Sequence, residues 1–383
     1  MASRLYRTTQ PLFLAVHHLL RARGLAQLGS PTLLGLIALY VTGLILLDAR
    51  PTQTRVCAYL PARAHDALNR LLRCMPLSTR HLMRLLMHFA CALGGEGRLI
   101  LDEVVWEKAF AQRLPWASWT YSSTQQRQIY GVVLVLLLWC SDDGRWRIPV
   151  GFRLLRPKGR CAPHAYRTKL QLAQELVRAV LAAGLPVRYL VFDTHYTAGW
   201  FTKWLARCGV IWQGTLDPRT TVVYQGRKGP VRELAGRVKL KWRSQLGLRT
   251  ARALTVYAPT YGHLRLCVAK NGHGGYEYLV SNAVYSDPTS LVESKRSRWS
   301  IETVFRDAKQ FSGFAACQCW GEAALVRHSG LVLLTFVVLQ WLRQRPDESV
   351  GAVKQRWQLA VLQQGEPPPP PLRACPRELR PTA

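Results

Sequence analysis

Residues 187–193 read Val-Arg-Tyr-Leu-Val-Phe-Asp, a β-branched, aromatic and aliphatic run that stops at a carboxylate, and this stretch decides the fold. Its length and composition predict a buried strand. Upstream, Gly184-Leu185-Pro186 ends a helical pattern from Tyr166 to Ala183, and downstream come a helix over Gly199–Arg207 and a strand over Val210–Leu216. Earlier in the chain, Arg98-Leu99-Ile100-Leu101 forms a short apolar strand running into Asp102-Glu103, and strands over Gln128–Cys140 and Trp146–Leu155 flank Asp142-Asp143-Gly144. Asp-Gly between apolar runs is a hairpin turn, where Asp serves the backbone. Three strands, a helix, a strand, a helix and a strand predict a mixed α/β sheet over residues 96–216.

The flanks have other textures. From Gln10 to about Leu93 the pattern is helical, broken at Gly24, Ser30-Pro31, Pro51, Pro61 and Pro76, which predicts an all-helical amino-terminal domain over residues 1–95. Pro31 to Leu47 is charge-free but short of the roughly 20 residues of a membrane span, so it reads as a buried core helix and no membrane partner is expected. A second helix over Ala62–Arg73 carries Arg63, Arg70 and Arg73; helix-turn-helix-like DNA binding and a plain bundle with a solvated Arg face both remain open. Residues 217–286 hold short strands at Thr221–Tyr224, Arg252–Tyr257, Leu264–Ala269 and Tyr276–Ser281 between Gly-rich turns, a β-rich insertion. Its basic residues, from Arg219 to Arg252, are interleaved with Trp242 and Tyr257, cations for phosphates and aromatic faces for unstacked bases. Residues 287–345 return to helices, and 346–383 end in a polyproline tail at Pro367–Pro371.

Composition narrows the function. Among 383 residues, 52 Lys and Arg stand against 22 Asp and Glu, a formal net charge of +30, which excludes an ordinary neutral metabolic enzyme and calls for a polyanionic partner, nucleic acid first. An apolar share of 49% with 13 Trp excludes a disordered chain. The 10 cysteines include no C-x-x-C pair and lie mostly in apolar segments such as Trp139-Cys140. That argues against a zinc ribbon and suits a reducing cytoplasm. The basic and apolar amino terminus is interrupted by His17 and His18 and does not read as a signal peptide.

With so few acids, those borne on apolar strands carry the chemistry. Asp102 follows Leu99-Ile100-Leu101 and Asp193 follows Leu190-Val191-Phe192, positions where an uncompensated carboxylate is expensive. Either could be paired with an Arg. Together, two strand-borne acids on one sheet can hold divalent metal through oxygen, and two ions about 4 Å apart can clamp a phosphoryl displacement. Glu103 faces the opposite side of the strand from Asp102, and His195 and Tyr196 follow Asp193 without a catalytic assignment. A third acid comes from residues 294–311, SKRSRWSIETVFRDAKQF. On one helix Lys295, Arg298, Glu302, Phe305 or Arg306, and Lys309 share a face. Glu302 fits a metal-gripping acid, with the cations around it gripping phosphates.

On these residues the chain resembles the DDE-type transposases of bacterial insertion sequences, whose helical signature is Y-x2-R-x3-E-x6-K. Arg298, Glu302 and Lys309 match its last three letters, and Lys295 stands in the place of the Tyr. The resemblance covers about residues 31–345. It implies a ribonuclease H-like core split by the β insertion, with Asp102, Asp193 and Glu302 coordinating two Mg2+ ions, for which Mn2+ can substitute. It further implies cut-and-paste cleavage and strand transfer on double-stranded DNA, transposon ends and target alike, in a bacterial cytoplasm, with a homodimer in the DNA complex. Arg298 and Lys309 would contact phosphates near the scissile end, with Lys295 as a point charge and Arg306 beside them. Trp242, the only Trp between Trp212 and Trp299, would stack a flipped base. A nuclease of the same fold, a non-catalytic DNA-binding derivative and, from a different class, a basic membrane protein are the alternatives.

Overall fold

The computed structural model of the chain describes residues 2–24, 30–47, 55–57, 65–109, 114–122, 125–270, 274–314, 317, 319 and 321–363. Arg63 and the polyproline tail lie outside them. The chain forms two compact units: Met1–Gly95, Glu103–Leu185 and Thr303–Ala383 make the first, Glu96–Asp102 and Pro186–Glu302 the second.

The first unit contains helices α1 (Ala2–Ala22), α2 (Pro31–Leu46), α3 (His65–Arg73), α4 (Thr79–Cys91) and α5 (Lys169–Ala182), with α10 (Glu322–Trp341) and α11 (Val350–Leu362). Its strands are β2 (Ser118–Ser122), β3 (Arg127–Ser141), β4 (Arg147–Leu154) and the later part of β1 (Gly97–Glu107). Helix α2 begins where Ser30 accepts the Leu33 N–H at 3.3 Å with Pro31 in the first turn, and it is buried almost all round, as its unbroken apolar run predicts. Helix α10 has 20 residues and a mean hydropathy of 1.6. By length and composition it alone among the described helices could cross a membrane, and most of it is buried among α2, α3, α4 and β4.

The hairpin β3–β4 forms as expected, pairing from Leu134–Leu154 to Cys140–Arg147 with a register shift between Leu137 and Leu138. Its turn needs Gly144 at φ 72°. Asp143 accepts from Ser141 Oγ at 2.5 Å and from the Arg145 N–H at 3.0 Å. Helix α5 starts three residues after Tyr166, because Thr168 and Gln171 form a reciprocal capping box.

The second unit is built on the start of β1 with β5 (Val187–Val191), β6 (Trp212–Thr215), β7 (Thr221–Tyr224), β8 (Arg227–Pro230), β9 (Lys241–Arg243), β10 (Leu248–Thr250), β11 (Leu254–Ala258), β12 (Gly262–Lys270) and β13 (Tyr276–Ser281). It also holds α6 (Gly199–Arg207), α7 (Val231–Arg237) and α8 (Pro288–Ser297). β1 and β5 run parallel with Leu99 against Leu190 and Ile100 against Val191, and β5 and β6 are parallel with Leu190 against Trp212. The strands of residues 217–286 then continue this sheet: β13 pairs antiparallel with β6, followed in order by β12, β11, β7 and β8, while β10 joins β12 and β9 joins β10. Leu291 and Val292 of α8 pack on Leu246, Cys267, Ala269 and Leu279. Burial there pushes the Cys267 thiol up to about 12, the inert behaviour expected of a cysteine used as a small hydrophobe.

Candidate active site

Asp102 and Asp193 are brought together by strand pairing. Each lies two residues beyond the Ile100–Val191 pair of adjacent parallel strands, so the two reach the same level of the sheet. The expected end of the first strand at Asp102 is displaced: β1 runs on to Glu107, because Val104 and Trp106 keep one face buried. Glu103 faces the other way and its carboxylate accepts from Lys169 Nζ at 2.6 Å. Asp193 leaves its strand into a tight turn, where Oδ1 accepts the N–H groups of His195 at 2.9 Å and Tyr196 at 3.4 Å. Thr197 Oγ1 donates to the Asp193 carbonyl at 3.0 Å, and Tyr261 donates to the Thr197 carbonyl at 3.0 Å, fixing this turn from both ends. His195 is exposed.

Residues 294–311 follow the expected helical course, with α8 passing into α9 (Trp299–Phe311) at Arg298, whose own backbone is helical at φ −55° and ψ −34°. α8 is started by Asp287, which accepts the Thr289 and Ser290 N–H groups at 2.7 and 3.0 Å ahead of Pro288. Arg298 spreads its guanidinium between two acids. Nη1 donates to Asp102 Oδ2 at 2.5 Å, and Nη2 donates to Glu302 Oε1 at 3.0 Å. The Arg298 side chain is 19% exposed and that of Asp102 15%, so this is the cation that offsets the cost of a carboxylate on a buried strand.

Next to it is a cavity of about 310 Å³ lined by Asp193, Gln213, Tyr276, Glu277, Lys295 and Arg298, among others. Lys295 is ion-paired with Glu277 across it. Glu277 went unnoticed in the sequence. Its signal was a carboxylate inside the apolar strand Tyr276–Ser281 of a chain poor in acids.

The remaining expected residues lie apart from this cluster in sequence or role. Arg306 is exposed and pairs with its neighbour Asp307 at 3.4 Å; Lys309, seven residues beyond Glu302 on α9, is exposed. Trp242 is 62% exposed on β9, flanked by exposed Lys241 and Arg243 and opposite Arg249. Among the described residues, no group of three or more His, Cys, Asp or Glu side chains is arranged to hold a metal ion. A guanidinium bonds both Asp102 and Glu302, and the Asp193 carboxylate accepts the N–H groups of His195 and Tyr196.

Parallel strands bearing acids at one level, inside a mixed sheet with helices, define a mixed α/β fold with a ribonuclease H-like core. Residues 25–240 match the family described as DDE superfamily endonuclease. That is more than half of the chain, and the chain belongs to this family. The match covers Asp102 and Asp193 and stops before Glu302. Family membership gives the protein a nuclease or transposase type of function. The search of curated proteins finds no match.

Proposed function

We propose that the protein is a DNA transposase that cuts DNA at the ends of a mobile element and joins the freed 3′ ends to a target, with Asp102, Asp193 and Glu302 as its acids. The observation that carries this reading is the meeting of Asp102 and Glu302 on one guanidinium, beside the cavity that Asp193 lines. Two carboxylates already holding a cationic group between them suit a cation in charge and in donor type. Mg2+, with Mn2+ as its substitute, is the ion such oxygens take, and Asp193 supplies the third carboxylate. Held by Asp102, Asp193 and Glu302, such ions would supply activation of a water or a 3′ hydroxyl and charge compensation for an in-line displacement.

The chain's own residues orient the DNA. Arg298 presents a planar fork suited to a phosphate, and Lys295 and Lys309 act as point charges. Arg306 adds an exposed cation on the same helix. Trp242 offers a stacking face between Lys241 and Arg243, fit for an unstacked base. The helices of residues 1–95 supply further DNA contacts, and holding two ends together calls for a homodimer in the DNA complex. The protein works in the bacterial cytoplasm at the nucleoid, with no membrane partner.

The test is strand cleavage and joining on DNA carrying the gene's own flanks, comparing wild type with Asp193→Ala, with and without Mg2+. Metal-dependent cutting and joining at both flanks, lost in the variant, is the expected result. Cutting without joining would reduce the protein to a nuclease, and tight binding without cutting under any metal would make it a non-catalytic DNA-binding protein.

A further inference from the structure

We infer that Arg298 is an internal counter-ion that competes with divalent cations for Asp102 and Glu302 and keeps the site closed until its guanidinium withdraws. The inference rests on the transposase reading above and deepens it. One guanidinium donates to both carboxylates, at 2.5 and 3.0 Å, from a side chain that is only 19% exposed. A second cation cannot enter that space without standing within a few ångströms of the first, where like charges repel strongly.

Charge counting leads to the same place. Three carboxylates against one guanidinium leave two negative charges, enough for one divalent ion and too few for two. Lys295, the other cation lining the cavity, is tied to Glu277, and among the described residues it is Arg298 that spans Asp102 and Glu302. It also has somewhere to go. Arg298 lines the cavity beside Asp193, so its guanidinium can swing into that space by rotation of the side chain alone. A guanidinium released there is a bidentate ligand for a phosphate, which would couple opening of the metal site to arrival of DNA.

Binding of Mn2+ to the full chain without DNA tests this, by calorimetry and by electron paramagnetic resonance, for wild type, Arg298→Gln, Arg298→Lys and Asp102→Asn. Arg298→Gln is expected to bind Mn2+ about tenfold more tightly than wild type, and its melting temperature to rise further on Mn2+ addition. Arg298→Lys, whose single ammonium cannot fork across both acids, should fall between. Adding Asp102→Asn to Arg298→Gln should remove the gain. Should Arg298→Gln fail to fold, Arg298→Lys carries the comparison. Folded Arg298 variants that bind Mn2+ no more tightly than a wild type that still cleaves would overturn the inference alone. No Mn2+ binding by any form, together with no metal-dependent cleavage, would overturn both the inference and the reading beneath it.

Discussion

At Asp102 the energetics of a single carboxylate explain the arrangement around it. A strand position between Leu101 and Val104 demands a compensating cation, and Arg298 provides it from 196 residues away. Glu302 shares that cation but is more exposed, at 36%, so its loss leaves no deeply buried charge unpaired. Glu302→Gln is therefore expected to lower cleavage by about a thousandfold, several kcal/mol of transition-state stabilisation, while end binding in a gel-shift titration stays within about threefold. A folded variant that no longer binds ends would show Glu302 to be a DNA-anchoring residue instead.

His328 is the other residue whose surroundings fix a measurable outcome. It is buried in the first unit, where Tyr40 Oη lies 2.8 Å from Nδ1 and the Gly313 carbonyl 3.1 Å from Nε2. Burial pulls its pKa down to about 4, partly opposed by the Gly313 carbonyl. The unfolded chain therefore takes up a proton below about pH 6.5 that the folded chain refuses until about pH 4. The contribution is intact above pH 6.5 and is lost as pH falls through that window, about 3 kcal/mol in all. Urea midpoints between pH 7 and 4 should fall more steeply for wild type than for His328→Gln; equal slopes would refute the assignment.

Among the elements, helix ends decide more than helix interiors do. Lys354 of α11 is 2% exposed, and Nζ donates to the carbonyls of Leu47 at 2.7 Å, Phe311 at 2.9 Å and Leu44 at 3.3 Å. One ammonium thus satisfies carbonyls at the carboxyl ends of α2 and α9, where the helix dipole also favours a cation. Lys354→Met keeps the volume and abandons these carbonyls in a dry site, so it should cost about 3 kcal/mol in urea unfolding. A loss below about 1 kcal/mol would mean that water replaces the ammonium. The elements themselves were largely legible. Gly199–Arg207, Thr221–Tyr224 and Tyr276–Ser281 have the bounds their sequence patterns predict, each with a positive-φ glycine within two residues of one end, Gly209, Gly226 and Gly274. The passage from α8 to α9 at Arg298 was not, since its backbone stays helical and the residues on both sides of it follow one helical spacing.

For the molecule as a whole, the net charge of +30 sets the mode of binding. Contacts to phosphates release counterions, so DNA affinity should fall by about a thousandfold or more between 50 and 200 mM salt, with a similar slope for cognate and unrelated duplexes. A fall of less than about tenfold would show that few of these cations meet phosphates.

The sequence by itself determined the strand and helix pattern, the basic character, the two strand-borne aspartates and the i,i+4 relation of Arg298 to Glu302. All of these depend on composition or on spacings within a few turns of chain, which backbone geometry converts directly into faces and ends. Only the tertiary structure decided that Arg298 bridges Asp102 to Glu302, that Glu277 holds Lys295, and that Lys354 is buried on three carbonyls. Each of these partnerships joins segments distant in sequence. A basic chain offers every acid many cations, and only strand pairing and packing choose one by placing it within hydrogen-bonding reach of a carboxylate that has lost its water.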